Sequence, residues 1–131
     1  MTASVNLATE GVKNTNRAIN QVVSGANNLS NNRVAAANAN AKNATKNYNN
    51  AGNNFMKAAN VLTPYSNAKG GNLRMAARAL KNASRAAALA QGAKAIAYAV
   101  KAVEQIGENG NKQYPKLTRN NSNFGPRTPN R

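Results

Sequence analysis

The sequence predicts an all-α protein of long Ala/Asn-rich helices, ending in an extended basic C-terminal tail. Three observations carry that prediction. Apolar residues recur in alternating steps of three and four over most of the chain. Proline is absent from Val5 to Leu62, and from Gly107 onward Asn, Gly and Pro replace the helical pattern.

The first element is a heptad-patterned segment over residues 1–63. Val5, Ala8, Val12, Thr15, Ile19, Val22, Ala26 and Leu29 mark one seam; after a slip near Ser30 it resumes at Val34, Ala37, Ala41, Ala44, Tyr48, Ala51, Phe55, Ala58 and Leu62. This spacing buries a narrow stripe against another helix. An unbroken helix over Val5 to Leu62 would be roughly 85–90 Å long at 1.5 Å per residue. A rod of that length in so short a chain needs partners beyond itself. Ser24-Gly25, Asn27-Asn28 and Asn31-Asn32 interrupt the segment, so two forms stay open: one kinked helix, or a helical hairpin with a short turn near residues 27–32. Thr2 or Ser4 can cap its start, and Glu10 lies in the early turns, where a negative charge suits the helix dipole.

Thr63-Pro64 is expected to end that segment, because a residue before proline is pushed from helical geometry. Residues 64–72, with Gly70-Gly71, read as a connector able to reverse the chain. A second long helix is expected over residues 73–106. Its first half puts Leu73, Ala76, Leu80, Ala83 and Ala87 on one side. Arg74, Arg78, Lys81 and Arg85 form a basic ridge on another, at steps of 4, 3 and 4. In its second half the seam is Leu89, Ala93, Ile96, Val100 and Val103, which on a continuous helix would occupy the ridge's own sector. Either Gln91-Gly92 breaks the helix, or its neighbour changes from anionic to apolar halfway along. Residues 107–131 then form a flexible basic tail bearing Lys112, Lys116, Arg119, Arg127 and Arg131, with Tyr114 and Phe124 between them.

Composition narrows the function. With 131 residues, one domain is the limit, and a core dominated by alanine buries little area per residue. Asn makes up about a fifth of the chain. That excess reflects either an AT-rich coding bias or a neutral polar surface whose amides pair across helices, and the two are compatible. The chain carries 18 Lys and Arg against 3 acids, a net charge of +15 with no Asp. By segment this is +5 over 1–63, +6 over 64–106 and +4 over 107–131, so basicity is spread over the whole length. Nucleic acid, an anionic membrane or acidic protein neighbours would satisfy it.

Without Cys, His or Asp, no disulfide, usual zinc site, serine triad, cysteine dyad or aspartate pair can be assembled. Glu104 and Glu108 lie one turn apart beside Gly107, as solvated acids at a helix end. The chain is therefore expected to be non-enzymatic, with no cofactor and no small-molecule substrate. Met1 to Ser4 begin no secretory signal, and no apolar run reaches transmembrane length.

The ridge can be a solvated face or a line of phosphate contacts, and the lack of nearby acids favours an anionic partner. No base-reading motif accompanies it, so binding to DNA is expected to be non-specific. The tail can lie on nucleic acid or dock on a neighbouring subunit. Ala86 to Ile106 is amphipathic and cationic, with Lys94 and Lys101 seven apart opposite its apolar side; it suits core packing or a membrane surface.

Val34–Leu62, Arg74–Arg85, Ala86–Ile106 and Lys112–Arg131 together resemble, in style, the small internal core (ejection) and portal-associated proteins of short-tailed phages. That resemblance implies a helical structural subunit inside a virion, near the portal, forming homo-oligomers or meeting other virion proteins and DNA. Three rivals stand beside it: a free nucleoid-like or histone-like condensing protein in the cytoplasm, a membrane-active helical protein, and a subunit of a ribonucleoprotein.

Overall fold

The amphipathic runs of the sequence become helices, with turns at residues 31–33 and 89–91. A computed structural model describes residues 2–69 and 71–107. Within them lie four α-helices and no strand: α1 (Thr2–Ser30), α2 (Val34–Lys69), α3 (Gly71–Ala88) and α4 (Gly92–Ile106). The expected flexible tail, residues 107–131, lies outside the described residues except for Gly107.

Residues 1–63 are not one kinked helix: the chain turns at residues 31–33. Asn32 takes the left-handed conformation at φ 63. The Arg33 amide donates to the Asn28 carbonyl at 2.8 Å and the Asn32 amide to Leu29 at 3.0 Å. This paired closure satisfies the carbonyls left over at a helix end, and Asn tolerates the left-handed position better than most side chains. α1 and α2 then run antiparallel. Ser4 Oγ donates to the Ala58 carbonyl at 2.9 Å, Asn14 Nδ2 to Asn54 Oδ1 at 2.8 Å, and Asn40 Nδ2 to Gln21 Oε1 at 2.7 Å.

Two boundaries differ from the sequence reading. α2 does not stop at Thr63 but runs through Pro64 to Lys69, and α3 starts at Gly71, so every described residue of the connector expected over 64–72 is helical. Proline costs a helix one donor and strains the preceding turn. Leu62 is fully buried at this level, and packing on that scale outweighs the local preference. Residues 73–106 are two helices rather than one. The break falls at Leu89–Gln91, closed by the same paired motif: Gln91 N–H to Ala86 O at 2.8 Å, Ala90 N–H to Ala87 O at 2.9 Å. The left-handed residue here is Ala90, φ 59, not the neighbouring glycine.

Gly92 has a different reason to be glycine. A Cβ there would lie 2.7 Å from Ile19 Cδ1 and 2.8 Å from Tyr48 Oη, so α4 can start against α1 and α2 only without a side chain. At Gly11, a Cβ would clash with the edge of the Phe55 ring, 2.7 Å from Cδ1 and 2.8 Å from Cζ. These two close approaches set the spacing of the core.

The core is the stack of seam residues where all four helices lie side by side. Val5, Val12 and Ile19 of α1 meet Tyr48, Phe55 and Leu62 of α2, Leu73 and Leu80 of α3, and Ile96, Val100 and Val103 of α4. Alanines fill the space between them, and Phe55 is the largest side chain fully enclosed. Tyr48 closes one end of this body: burial raises its phenol above the ordinary value of 10.0, against the lowering effect of a hydrogen bond with the Gly92 backbone.

Past Ile19 the partner helices stop, and α1 and α2 continue alone as a projecting hairpin. No residue from 20 to 43 is buried. Within the chain these seam positions stay uncovered: Val22 is 51% exposed, Leu29 59% and Val34 56%, while Leu89, in the α3–α4 turn, is 62% exposed. Their spacing is right for burial, but neither α3 nor α4 extends to cover them. Amides hold the hairpin together. Arg33 reaches Asn28 Oδ1 at 3.5 Å, Asn28 donates to Asn40 at 2.8 Å, and Asn40 donates to Gln21.

Candidate anion-binding groove

α3 sorts its residues cleanly. Leu73, Ala76, Leu80, Ala83 and Ala87 are buried against α2 and α4, which turns Arg74, Arg78, Lys81 and Arg85 outward, all exposed. At 100° per residue these four fall within a narrow sector, so their charges line one edge of the body. The break at Leu89–Gln91 resolves the conflict between ridge and seam. α4 reverses direction and turns Ile96, Val100 and Val103 inward, with Lys94 and Lys101 exposed on its outer side.

α3 and α4 run antiparallel, and their outer faces enclose a groove made of two adjoining hollows. One, about 290 Å³, has Arg85 on its α3 wall and Lys94 on its α4 wall. The other, about 200 Å³, pairs Arg78 with Lys101 in the same way. Asn82 and Tyr98 line both hollows and form the floor between them. Tyr98 is half-buried and packs against the core, so its ring is fixed from below. Arg74 and Lys81 line neither hollow and stand on the outer shoulder of α3.

Among the described residues no carboxylate contributes to either lining. The sequence has no acid between Glu10 and Glu104, so six Lys and Arg face one Glu over residues 71–107. The groove offers guanidinium, ammonium, amide and phenol groups, all able to donate to phosphate or carboxylate oxygens. The ion pair seen on the described surface, Lys13 to Glu10 at 3.6 Å, lies on α1 and is exposed on both sides. Among the described residues no three His, Cys, Asp or Glu side chains gather as a metal site.

Of the residues expected to meet anions, the four on α3 thus share one exposed edge, and two of them enter the groove. Lys112, Lys116, Arg119, Arg127 and Arg131 lie outside the described residues. The sequence reading did not count Lys94, Lys101, Tyr98 or Asn82 as contacts. A signal for three of them was present: 94, 98 and 101 recur at steps of four and three, a single helical stripe with an aromatic between two lysines. No protein-family model, curated protein or solved structure matches this chain.

Proposed function

We propose that this chain is a non-catalytic structural subunit of a DNA-containing assembly, with a virion interior, at the internal core or portal, as the setting. The observation that carries the reading is the doubly walled basic groove of α3 and α4, whose described lining holds no acid. Among the described residues none of its charges has an ion-pair partner, so a polyanion is their natural complement. The projecting hairpin supports the assembly part. Val22, Val23, Leu29 and Val34 are large apolar residues left in water, a cost that contact with a neighbouring protein would offset. Homo-oligomers or other virion proteins are the partners we assign to it. The basic residues of 107–131 would add further contacts along DNA or on an adjacent subunit.

A free condensing protein shares the charge but needs no hairpin, which makes it the second reading. The membrane-active reading has less support. The apolar residues of α4 are already spent on the core, and no described helix is long and apolar enough to cross a membrane.

The test is salt-dependent binding to duplex DNA. Each phosphate contacted contributes about −0.9 to the slope of log K against log salt, so four contacts contribute about −3 to −4. Changing Arg74, Arg78, Lys81 and Arg85 together to Gln should weaken binding alike on all sequences and flatten the slope by that amount. An unchanged slope would exclude the ridge as the DNA contact. Native mass of the wild-type chain separates the two readings: a closed symmetric oligomer supports the structural subunit, a polydisperse coat on DNA the condensing protein.

A further inference from the structure

We infer that the groove between α3 and α4 is a site for a single nucleic-acid strand, distinct from the outer ridge that meets duplex. The inference rests on the nucleic-acid reading above and adds which form of the polymer the groove accepts. Its warrant is the arrangement of charge around Tyr98. Arg85 and Lys94 flank one hollow, Arg78 and Lys101 the next, and Tyr98 with Asn82 separates them. Arg78 and Arg85 are seven residues apart on α3, as are Lys94 and Lys101 on α4, which sets the two cationic pairs about 10 Å apart. An extended strand can place phosphates a nucleotide or two apart at both pairs, leaving a base over the floor between them.

The floor suits a base. Stacking on an aromatic ring tolerates any sequence because every base has a π-face, and cations on either side track the backbone. Asn82 adds an amide that both donates and accepts, which any base edge can use. Duplex DNA is excluded by width. Packed helices lie about 8–10 Å apart, so a double helix rides on the α3 rim and cannot lower a paired base onto Tyr98. The ridge divides accordingly: Arg74 and Lys81 serve the rim, while Arg78 and Arg85 serve both rim and groove.

The experiment uses the full chain and fluorescence anisotropy with two probes, a short labelled oligo(dT) and a duplex of the same length. Lys94→Gln/Lys101→Gln and, separately, Tyr98→Leu should each weaken oligo(dT) binding roughly ten-fold or more, with duplex affinity held within about two-fold. Tyr98→Phe should bind oligo(dT) like wild type. Arg74→Gln/Lys81→Gln should show the opposite preference, losing duplex more than single strand. If Tyr98→Leu unfolds by circular dichroism, the exposed lysine pair decides the matter alone. Parallel loss of both probes, or no loss of oligo(dT), overturns the groove while leaving the general DNA reading standing. Absence of binding by the wild-type chain to either probe overturns both. Displacement of oligo(dT) by phosphatidylserine vesicles, with vesicle binding itself lost in Lys94→Gln/Lys101→Gln, would assign the groove to lipid headgroups and overturn the inference.

Discussion

The four-helix body and the hairpin that projects from it share one hydrophobic rhythm and differ in almost everything that rhythm is supposed to decide. Val12, Ile19, Tyr48 and Phe55 are buried in the body; Val22, Leu29 and Val34, on the same seam of the same two helices, are in water. The body is held by enclosed apolar volume, the hairpin by an amide ladder through Asn28, Asn40 and Gln21. Hydrogen bonds between these half-buried amides replace bonds to water and contribute little net free energy, on the order of 1 kcal/mol each. Heptad spacing therefore reports that a stripe can be buried. Whether it is buried depends on what else reaches it, and α4 begins only at the level of Ile19.

The largest expected effect tests that contrast directly. Phe55→Ala empties the best-enclosed site in the core and should cost about 3–5 kcal/mol in urea denaturation of the isolated chain. Leu29→Ala, on the hairpin, should change stability by no more than about 0.5 kcal/mol. Comparable losses from the two would mean that the hairpin is already packed in solution, against itself or a second copy.

That pair also marks how far the sequence could be read. Helical class, an interruption near residues 27–32 and the two faces of α3 follow from periodicity and from Asn-rich punctuation, which are local properties; whether that interruption is a kink or a turn does not. The passage of α2 through Pro64 was not legible, because local preference there yields to the burial of Leu62. Nor was the role of Gly92. A glycine after glutamine suggests a break, but the left-handed residue is Ala90, and Gly92 is dictated by Ile19 and Tyr48, far off in sequence. The site was half legible. Arg78 and Arg85 announce themselves by spacing, whereas a groove exists only once α4 has folded back and set Lys94 and Lys101 opposite them.

A sharper comparison straddles the boundary itself. Ile19 and Val22 are one turn apart on α1, the first packed on Gly92, the second 51% exposed. Ile19→Asn places an amide in an apolar site and should cost about 2–4 kcal/mol. Val22→Asn should leave the stability of the monomer nearly unchanged. If the hairpin is an assembly surface, Val22→Asn should instead lower the oligomer fraction in native mass spectra, an effect Ile19→Asn shows only through unfolding. A Val22→Asn chain that assembles normally would remove this face of the hairpin from the interface.

The smallest effect concerns Tyr48, the residue that closes the body where the hairpin leaves it. Burial holds its phenol above the usual value near 10.0, so the folded chain keeps that proton more tightly than the unfolded chain does. Between the unfolded and folded values the native state binds more protons, and stability must then fall as pH rises. The contribution is fully present below about pH 10 and is lost above it. Tyr48→Phe removes both the titration and the hydrogen bond with the Gly92 backbone. It should lower stability at neutral pH by about 0.5–1.5 kcal/mol. Above pH 10 its stability should decline less steeply than that of the wild type, so the two curves converge. Groups common to both chains cancel in the difference. Curves that stay parallel through pH 11 would mean that water reaches the phenol from the hairpin side, and the body would then end one turn lower, at Ala51.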